Sequence, residues 1–150
     1  MDASDLQYVL ALQHVPNLGD GSAKKLLRHF GSARAVFQEK RSSLLKIEGI
    51  GSFKIQNLFE AEHLRAAERE LEYIEKHDIK CLYYQDEEYP EKLKHCWDGP
   101  ILLFQRGKVD LTKKKIISLV GTRRATNSGV EFCRRFIEEL APLDPVIVSG

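Results

Sequence analysis

The chain has 150 residues, of which 43% are hydrophobic and 30% charged, with a formal net charge of +1. That composition is the one of a soluble globular protein and excludes both a disordered polyelectrolyte and a chain that holds nucleic acid by bulk charge alone. Apolar runs such as "PILLF" and "IISLV" fall far short of the roughly 20 residues of a membrane-spanning helix, and the start "MDASDLQYVL" is acidic where a signal peptide is basic, so the cytoplasm is the expected location.

Charge is spread unevenly: residues 1–65 carry nine Lys/Arg against seven Asp/Glu, 66–110 seven against eleven, and 111–150 seven against four. An acidic middle separates two mildly basic ends. The three cysteines, Cys81, Cys96 and Cys133, form no CxxC and are expected as reduced, packed thiols; the scattered histidines supply no ligand set, so no metal and no cofactor is expected.

The first elements repeat. "NLGDGSAKKLL" (Asn17 to Leu27) aligns without gaps on "GIGSFKIQNLF" (Gly49 to Phe59) at a period of 32, matching Leu18 with Ile50, Gly19 with Gly51, Ala23 with Ile55 and Leu26 with Leu58. Each copy has an apolar helix, a turn with glycine, and a second helix, and so resembles a helix-hairpin-helix motif, although Asn17 stands where the first copy should have the glycine that the second has at Gly49. Glycine permits the backbone angles of such a turn, and the free N–H groups that follow can hold a phosphate oxygen. Gly19, Gly21, Lys24 and Lys25 in the first copy, and Gly49, Gly51 and Lys54 in the second, are therefore secondary DNA-contact candidates. The same pattern equally describes two α-hairpins packed through Leu10, Leu18, Leu26, Leu27, Phe30, Phe37, Leu45, Ile50, Ile55 and Leu58, serving protein contacts or none.

A helical pattern follows, with Leu64, Ala67, Leu71 and Ile74 at spacings of three and four and a charged opposite face. Four apolar runs, "KCLYY", "ILLFQ", "IISLV" and "PVIVS", then read as strands; Pro90 opens a short helix between the first two and Gly99-Pro100 marks a break. Between the last two runs, Ser128 and Glu131 have the spacing of a capping box, Cys133, Phe136, Ile137 and Leu140 form a stripe facing a sheet, and Pro142 ends the helix. The implied fold class is a two-part α+β and α/β chain. It has a helical helix-hairpin-helix (SAM-like) domain over 1–65, a connector helix over 66–78, and over 79–150 the first part of a Rossmann-like parallel sheet.

In parallel sheets ligands sit at the carboxyl ends of strands, where "VGTRR" and "VSG" lie. The corner lacks both the GxGxxG of a dinucleotide site and the Gly-Lys-Ser/Thr of a Walker loop. What it offers is Gly121, the Thr122 hydroxyl, the guanidiniums of Arg123 and Arg124, and a helix N-terminus capped by Thr126, Asn127 or Ser128, all suited to a phosphate oxyanion. A Rossmann-type nucleotide-processing enzyme similar to phosphoribohydrolases is the alternative, but the corner loop has no carboxylate for a ribose.

The order of motifs, from the hairpin repeats through "YYQDEEYPEKLKHCWDGPILLFQRG" and "IISLVGTRRATNSG" to "PVIVSG", resembles the DNA-processing protein A family (DprA, also called Smf) over essentially the whole chain. The resemblance implies a non-enzymatic mediator that binds single-stranded DNA, loads the RecA recombinase and protects incoming DNA during natural transformation. It places phosphate contacts on Gly121, Thr122 and Arg123, with Arg124 in support. It also places them on Ser149 and Gly150, where a glycine-rich loop begins that would continue past a truncated end. It implies a homodimer too, through a region absent from this sequence.

Overall fold

Helix α1 (Ala3–His14) carries Val9, Leu10, Ala11 and Leu12 in succession, and all four are buried. A helix apolar on every side must be surrounded, and α1 is packed against α3 (Ala33–Gln38) and α6 (Ala61–Lys76), while α2 (Asp20–Phe30) packs on α3. The computed structural model describes residues 3–108, 111 and 115–149. By contact the chain forms two compact units, Met1–Lys108 and Val109–Gly150.

In the first unit the short helices α4 (Arg41–Leu44) and α5 (Ser52–Ile55) complete the second copy of the repeat. The two turns have the same backbone course. Asn17 and Gly49 both adopt positive φ, at 65° and 79°. Leu18 N donates to Val15 O as Ile50 N donates to Ile47 O, at 3.3 and 3.0 Å, and Gly19 and Gly51 stand as the extended N-caps of α2 and α5. Asparagine is the non-glycine residue that best tolerates the left-handed region, which is how the first copy keeps the turn without glycine. The core follows the repeat, with one shift: Leu44 is fully buried, whereas Leu45, expected in the core, is 43% exposed. The one-turn helix α4 points its last residue inward and leaves the next one outside.

Helix α6 places Ala67 and Ile74 in the core and lies along α1, so the expected boundary at residue 65 falls within it. Strands β1 (Lys80–Tyr83) and β2 (Leu102–Gln105) pair antiparallel, with Tyr83 opposite Leu102. Between them lies the one-turn helix α7 (Glu91–Lys94). Leu82, Tyr84, Tyr89, Ile101 and Leu102 belong to the same buried cluster as the helices. The strands thus share a core with residues 3–79, and the contact division comes after β2, not before β1.

The second unit is a β3–α8–β4 arrangement: β3 (Ile116–Leu119), α8 (Asn127–Leu140), a single 3-10 turn (Ala141–Leu143) and β4 (Val146–Ser149). β3 and β4 are parallel, pairing Ile116 with Val146 and Leu119 with Ser149. The whole is a mixed helix and sheet chain with a small parallel sheet, and that sheet starts at residue 116, since β1 and β2 form a separate antiparallel pair. The expected stripe on α8 is only partly covered: Phe136 and Leu140 are half-buried, Cys133 and Ile137 exposed. One helix on two strands has too little surface to enclose a core. Cys96 is exposed as well, so of the three free thiols only Cys81 is half-buried, and its pKa is pushed up by burial and then by Glu70.

Two measurements probe this architecture. Asn17→Gly is expected to raise stability by up to about 1 kcal/mol by relieving the left-handed turn, and Gly49→Ala to lower it by about 1–2 kcal/mol; urea midpoints of both variants decide. Tyr89 is buried and its hydroxyl donates to Pro100 O at 2.5 Å. Burial, then Asp20 and Cys96, push its pKa from 10.0 up to about 12. The unfolded chain therefore releases this proton first, and stability present below pH 10 is lost as pH rises through that window. The thermal midpoint of Tyr89→Phe should fall less between those pH values than that of the wild type.

Candidate anion-binding site

Both parallel strands end on one edge of the second unit, because Leu119 is paired with Ser149. From that edge the chain runs through Val120 and Gly121 to Arg124 and enters α8. Thr122 Oγ1 accepts from Arg124 N at 3.1 Å, which folds the corner on itself and leaves the hydroxyl proton to donate elsewhere. The helix cap is Thr126, whose Oγ1 accepts from Gly129 N at 3.1 Å. The expected Ser128–Glu131 box is not formed: α8 begins at Asn127, so Ser128 is already in its first turn, and Glu131 takes a hydrogen bond from Arg134 at 3.1 Å. The N–H groups of Asn127 and Ser128 at this end have no carbonyl one turn back to bond.

Arg123 and Arg124 are exposed, and neither guanidinium has an ion-pair or hydrogen-bond partner among the described residues. Gly121 is exposed, with open space around the position a Cβ would take and no positive φ. Nothing among the described residues requires glycine there; what glycine gives is room for something outside to approach the backbone. Ser149 is exposed at the end of β4, and Gly150 lies outside the described residues. The corner therefore brings together a hydroxyl, two unpaired guanidiniums and a helix N-terminus, a set that attracts an oxyanion. Among the described residues no group of three His, Cys, Asp or Glu gathers as a metal site.

The two turns of the first unit differ from each other in what covers them. At the first, the ring of Trp97 lies over Gly21, so close that a Cβ there would meet it at 2.6 Å. Asp20 Oδ1, in the first turn of α2, accepts from Ile101 N at 2.9 Å. Lys24, expected to be a phosphate contact, is 2% exposed and donates to Cys96 O at 3.0 Å, with its ammonium 5.5 Å from the Tyr84 ring centre. Helical periodicity explains the inversion: Lys24 shares its turn with buried Ala23 and Leu27, and Lys25 is the residue that points outward.

The second turn is open. Gly51, like its counterpart Gly19, has open space among the described residues where a Cβ would stand, Phe53 is exposed, and only the Lys25 ammonium lies close to Gly49. Lys54 Nζ reaches Gly49 O at 2.9 Å and Ser22 Oγ at 3.0 Å, and Lys25 Nζ reaches Glu48 O at 3.2 Å, so two ammoniums tie the copies together at their surface. Composition and spacing do not reveal Trp97, Asp20 or Ser22 as parts of these turns, because their contacts join segments distant in the chain.

Residues 80–150 match the family model of DNA recombination-mediator protein A. The chain is similar to Protein Smf of Synechocystis, 25% identical over 154 aligned positions that take in all of this chain and 39% of that protein. It is 37% identical to the DNA processing protein DprA of Streptococcus pneumoniae over 65 residues, 43% of this chain and 23% of that one. A match to UvrABC system protein C of Bifidobacterium longum, 38% over 53 residues, touches 35% of this chain but only 7% of that protein and assigns no family. The chain thus spans well under half the length of the curated Smf and DprA relatives it matches.

Truncation separates the lysine that holds the fold from the one at its surface. Lys24→Ala should lower the unfolding free energy by about 1–3 kcal/mol through the unsatisfied Cys96 carbonyl and lost packing. Lys25→Ala should cost less than about 0.5 kcal/mol. Chemical denaturation of the two variants in parallel checks this, and equal losses would contradict the assignment.

Proposed function

Because the chain belongs to the DprA/Smf family, we propose that it takes part in DNA processing during recombination, by binding single-stranded DNA at the β3–α8 corner without catalysing a reaction. The observation that carries this reading is the pair of exposed, unpartnered guanidiniums of Arg123 and Arg124 beside the N-terminus of α8. Cations that a fold leaves without carboxylates, next to a helix end that attracts anions, suit a phosphodiester.

In this reading Arg123 clamps a phosphate through its planar fork, Thr122 adds a hydroxyl donor, Gly121 lets the backbone come close, and Arg124 and Ser149 flank the contact. Gly150, outside the described residues, completes the proposed set of phosphate contacts. The turn at Gly49 and Gly51, with Lys54 and Lys25, is the secondary contact, together with the equally exposed Gly19; Gly21 and Lys24 drop out, since the Trp97 ring lies over Gly21 and Lys24 is spent on Cys96 O. In the whole protein this binding would serve to protect incoming DNA and to load RecA onto it in the cytoplasm during natural transformation, with self-association through parts outside this chain.

The binding is electrostatic, so its log affinity for a short labelled oligothymidylate should fall linearly with log salt at about −0.7 per phosphate neutralised. Arg123→Ala should weaken binding about tenfold and make the slope shallower by about 0.7. Fluorescence anisotropy across a salt series reads both. An Arg123→Ala variant with wild-type affinity and slope would remove Arg123 from the site.

A further inference from the structure

Cationic charge in the first unit is concentrated in one stretch. Residues 24–54 hold eight Lys or Arg and only two acids, Glu39 and Glu48, although the chain as a whole is nearly neutral. Five of those cations have partners within the chain: Lys24 on Cys96 O, Lys25 on Glu48 O, Arg34 on Ser4 Oγ and the Tyr8 ring, Arg41 on Ser52 O, and Lys54 on Gly49 O and Ser22 Oγ. Lys25 and Arg28, both exposed, line a groove together with His29, Ile47 and Glu48. α2 supplies three of these side chains at i, i+3 and i+4, which places them on one face, and all three are exposed.

Lys25 joins the two walls through its bond to Glu48 O at 3.2 Å, so the groove is held in shape by one of its own cations. Arg28 has no hydrogen-bond or ion-pair partner among the described residues. Cations in the last turn of a helix complement its dipole, which accounts for Arg28 and His29 at this end of α2. It does not account for Lys25 a turn earlier, nor for a run of 31 residues almost free of acids.

We propose that this groove binds the phosphodiester backbone of single-stranded DNA, as a contact surface separate from the β3–α8 corner. The inference rests on the reading that the chain binds DNA, but not on Arg123. Residues three or four apart on a helix are about 5–6 Å apart at Cβ, so Lys25 and Arg28 can engage neighbouring phosphates. Arg28 offers its fork, Lys25 a compact charge, and Ile47 an apolar wall for a sugar. Phe53, outside the groove but in the same unit and 63% exposed, is an aromatic face on which an unpaired base can stack, a reason to favour a single strand over a duplex.

The test uses the full 150-residue chain and a labelled oligothymidylate, with anisotropy read across a salt series. Arg28→Glu is expected to weaken binding at least about tenfold and to lower the salt slope by about 0.7. Its thermal midpoint should match the wild type's, because the side chain is exposed and unpartnered; Arg28→Gln, with a smaller loss in the same direction, serves if the reversal impairs folding. Wild-type affinity and slope in the folded Arg28 variants overturn the groove. If Arg123→Ala is then still impaired, the corner stands alone, and if it too is silent both readings fall. Arg28→Glu impaired with Arg123→Ala silent keeps the groove and removes the corner. A polyglutamate peptide bound as tightly as the oligothymidylate, with the same dependence on Arg28, would overturn nucleic acid as the occupant in favour of an acidic protein segment.

Discussion

The seating of residues 96–101 on the first turn of α2 is the constraint from which the first unit takes its form. Lys24 Nζ holds Cys96 O, Asp20 Oδ1 holds Ile101 N, and Trp97 covers Gly21. Tyr89 fastens the same segment from its other side through Pro100 O. These bonds are buried or half-buried, where an unmet partner costs more than the bond itself contributes. They fix the start of β2, and with it the β1–β2 pair, against the helices. For that reason the antiparallel strands and the helical repeat share one core.

The same contacts break the symmetry of the repeat. Two turns with matching φ angles and hydrogen bonds start with the same capacity to offer N–H groups to an anion. In the first copy the helix start beyond Gly19 is packed inside the fold: Trp97 lies over Gly21, Asp20 holds Ile101 N and Lys24 holds Cys96 O. In the second it is left open, and the surrounding acid-poor stretch gives it a positive field. A duplicated motif can in this way divide its work, one copy holding the fold and the other facing solvent.

Sequence periodicity made the core of the repeat legible, because Leu18, Leu26, Ile50 and Leu58 recur at a fixed period and burial follows that pattern. The four strands were legible from their short apolar runs and α8 from its spacing of three and four, although its stripe is only partly covered. Three features were not. Leu44 and Leu45 are adjacent and apolar, so only the placement of α4 decides which one is buried. Lys24 and Lys25 are chemically alike, and a helical phase fixed by tertiary contacts sends one inside. Thr126 and Ser128 are both good caps, and the choice depends on where α8 starts. Pairing was hidden as well: the apolar runs of β1 and β2 could join either a parallel or an antiparallel sheet, and the contact between Tyr84 N and Ile101 O that settles it spans distant residues.

At the corner, what could be read from the sequence was the position and not the bonding. Arginines following a strand and preceding a helix lie at the carboxyl edge of a parallel pair by topology alone. The geometry adds that the corner satisfies its own needs with neutral groups: Thr122 serves the backbone of Arg124, and Thr126 caps the helix. Had Asp or Glu taken either of those places, the carboxylate would have met the same N–H group and also drawn a neighbouring guanidinium to itself. Using threonine hydroxyls closes the turn and caps α8 while leaving the positive charge of Arg123, Arg124 and the helix end uncompensated by the loop. In the proposed reading, the preference of the corner for anions thus depends as much on which capping residues are used as on the arginines themselves.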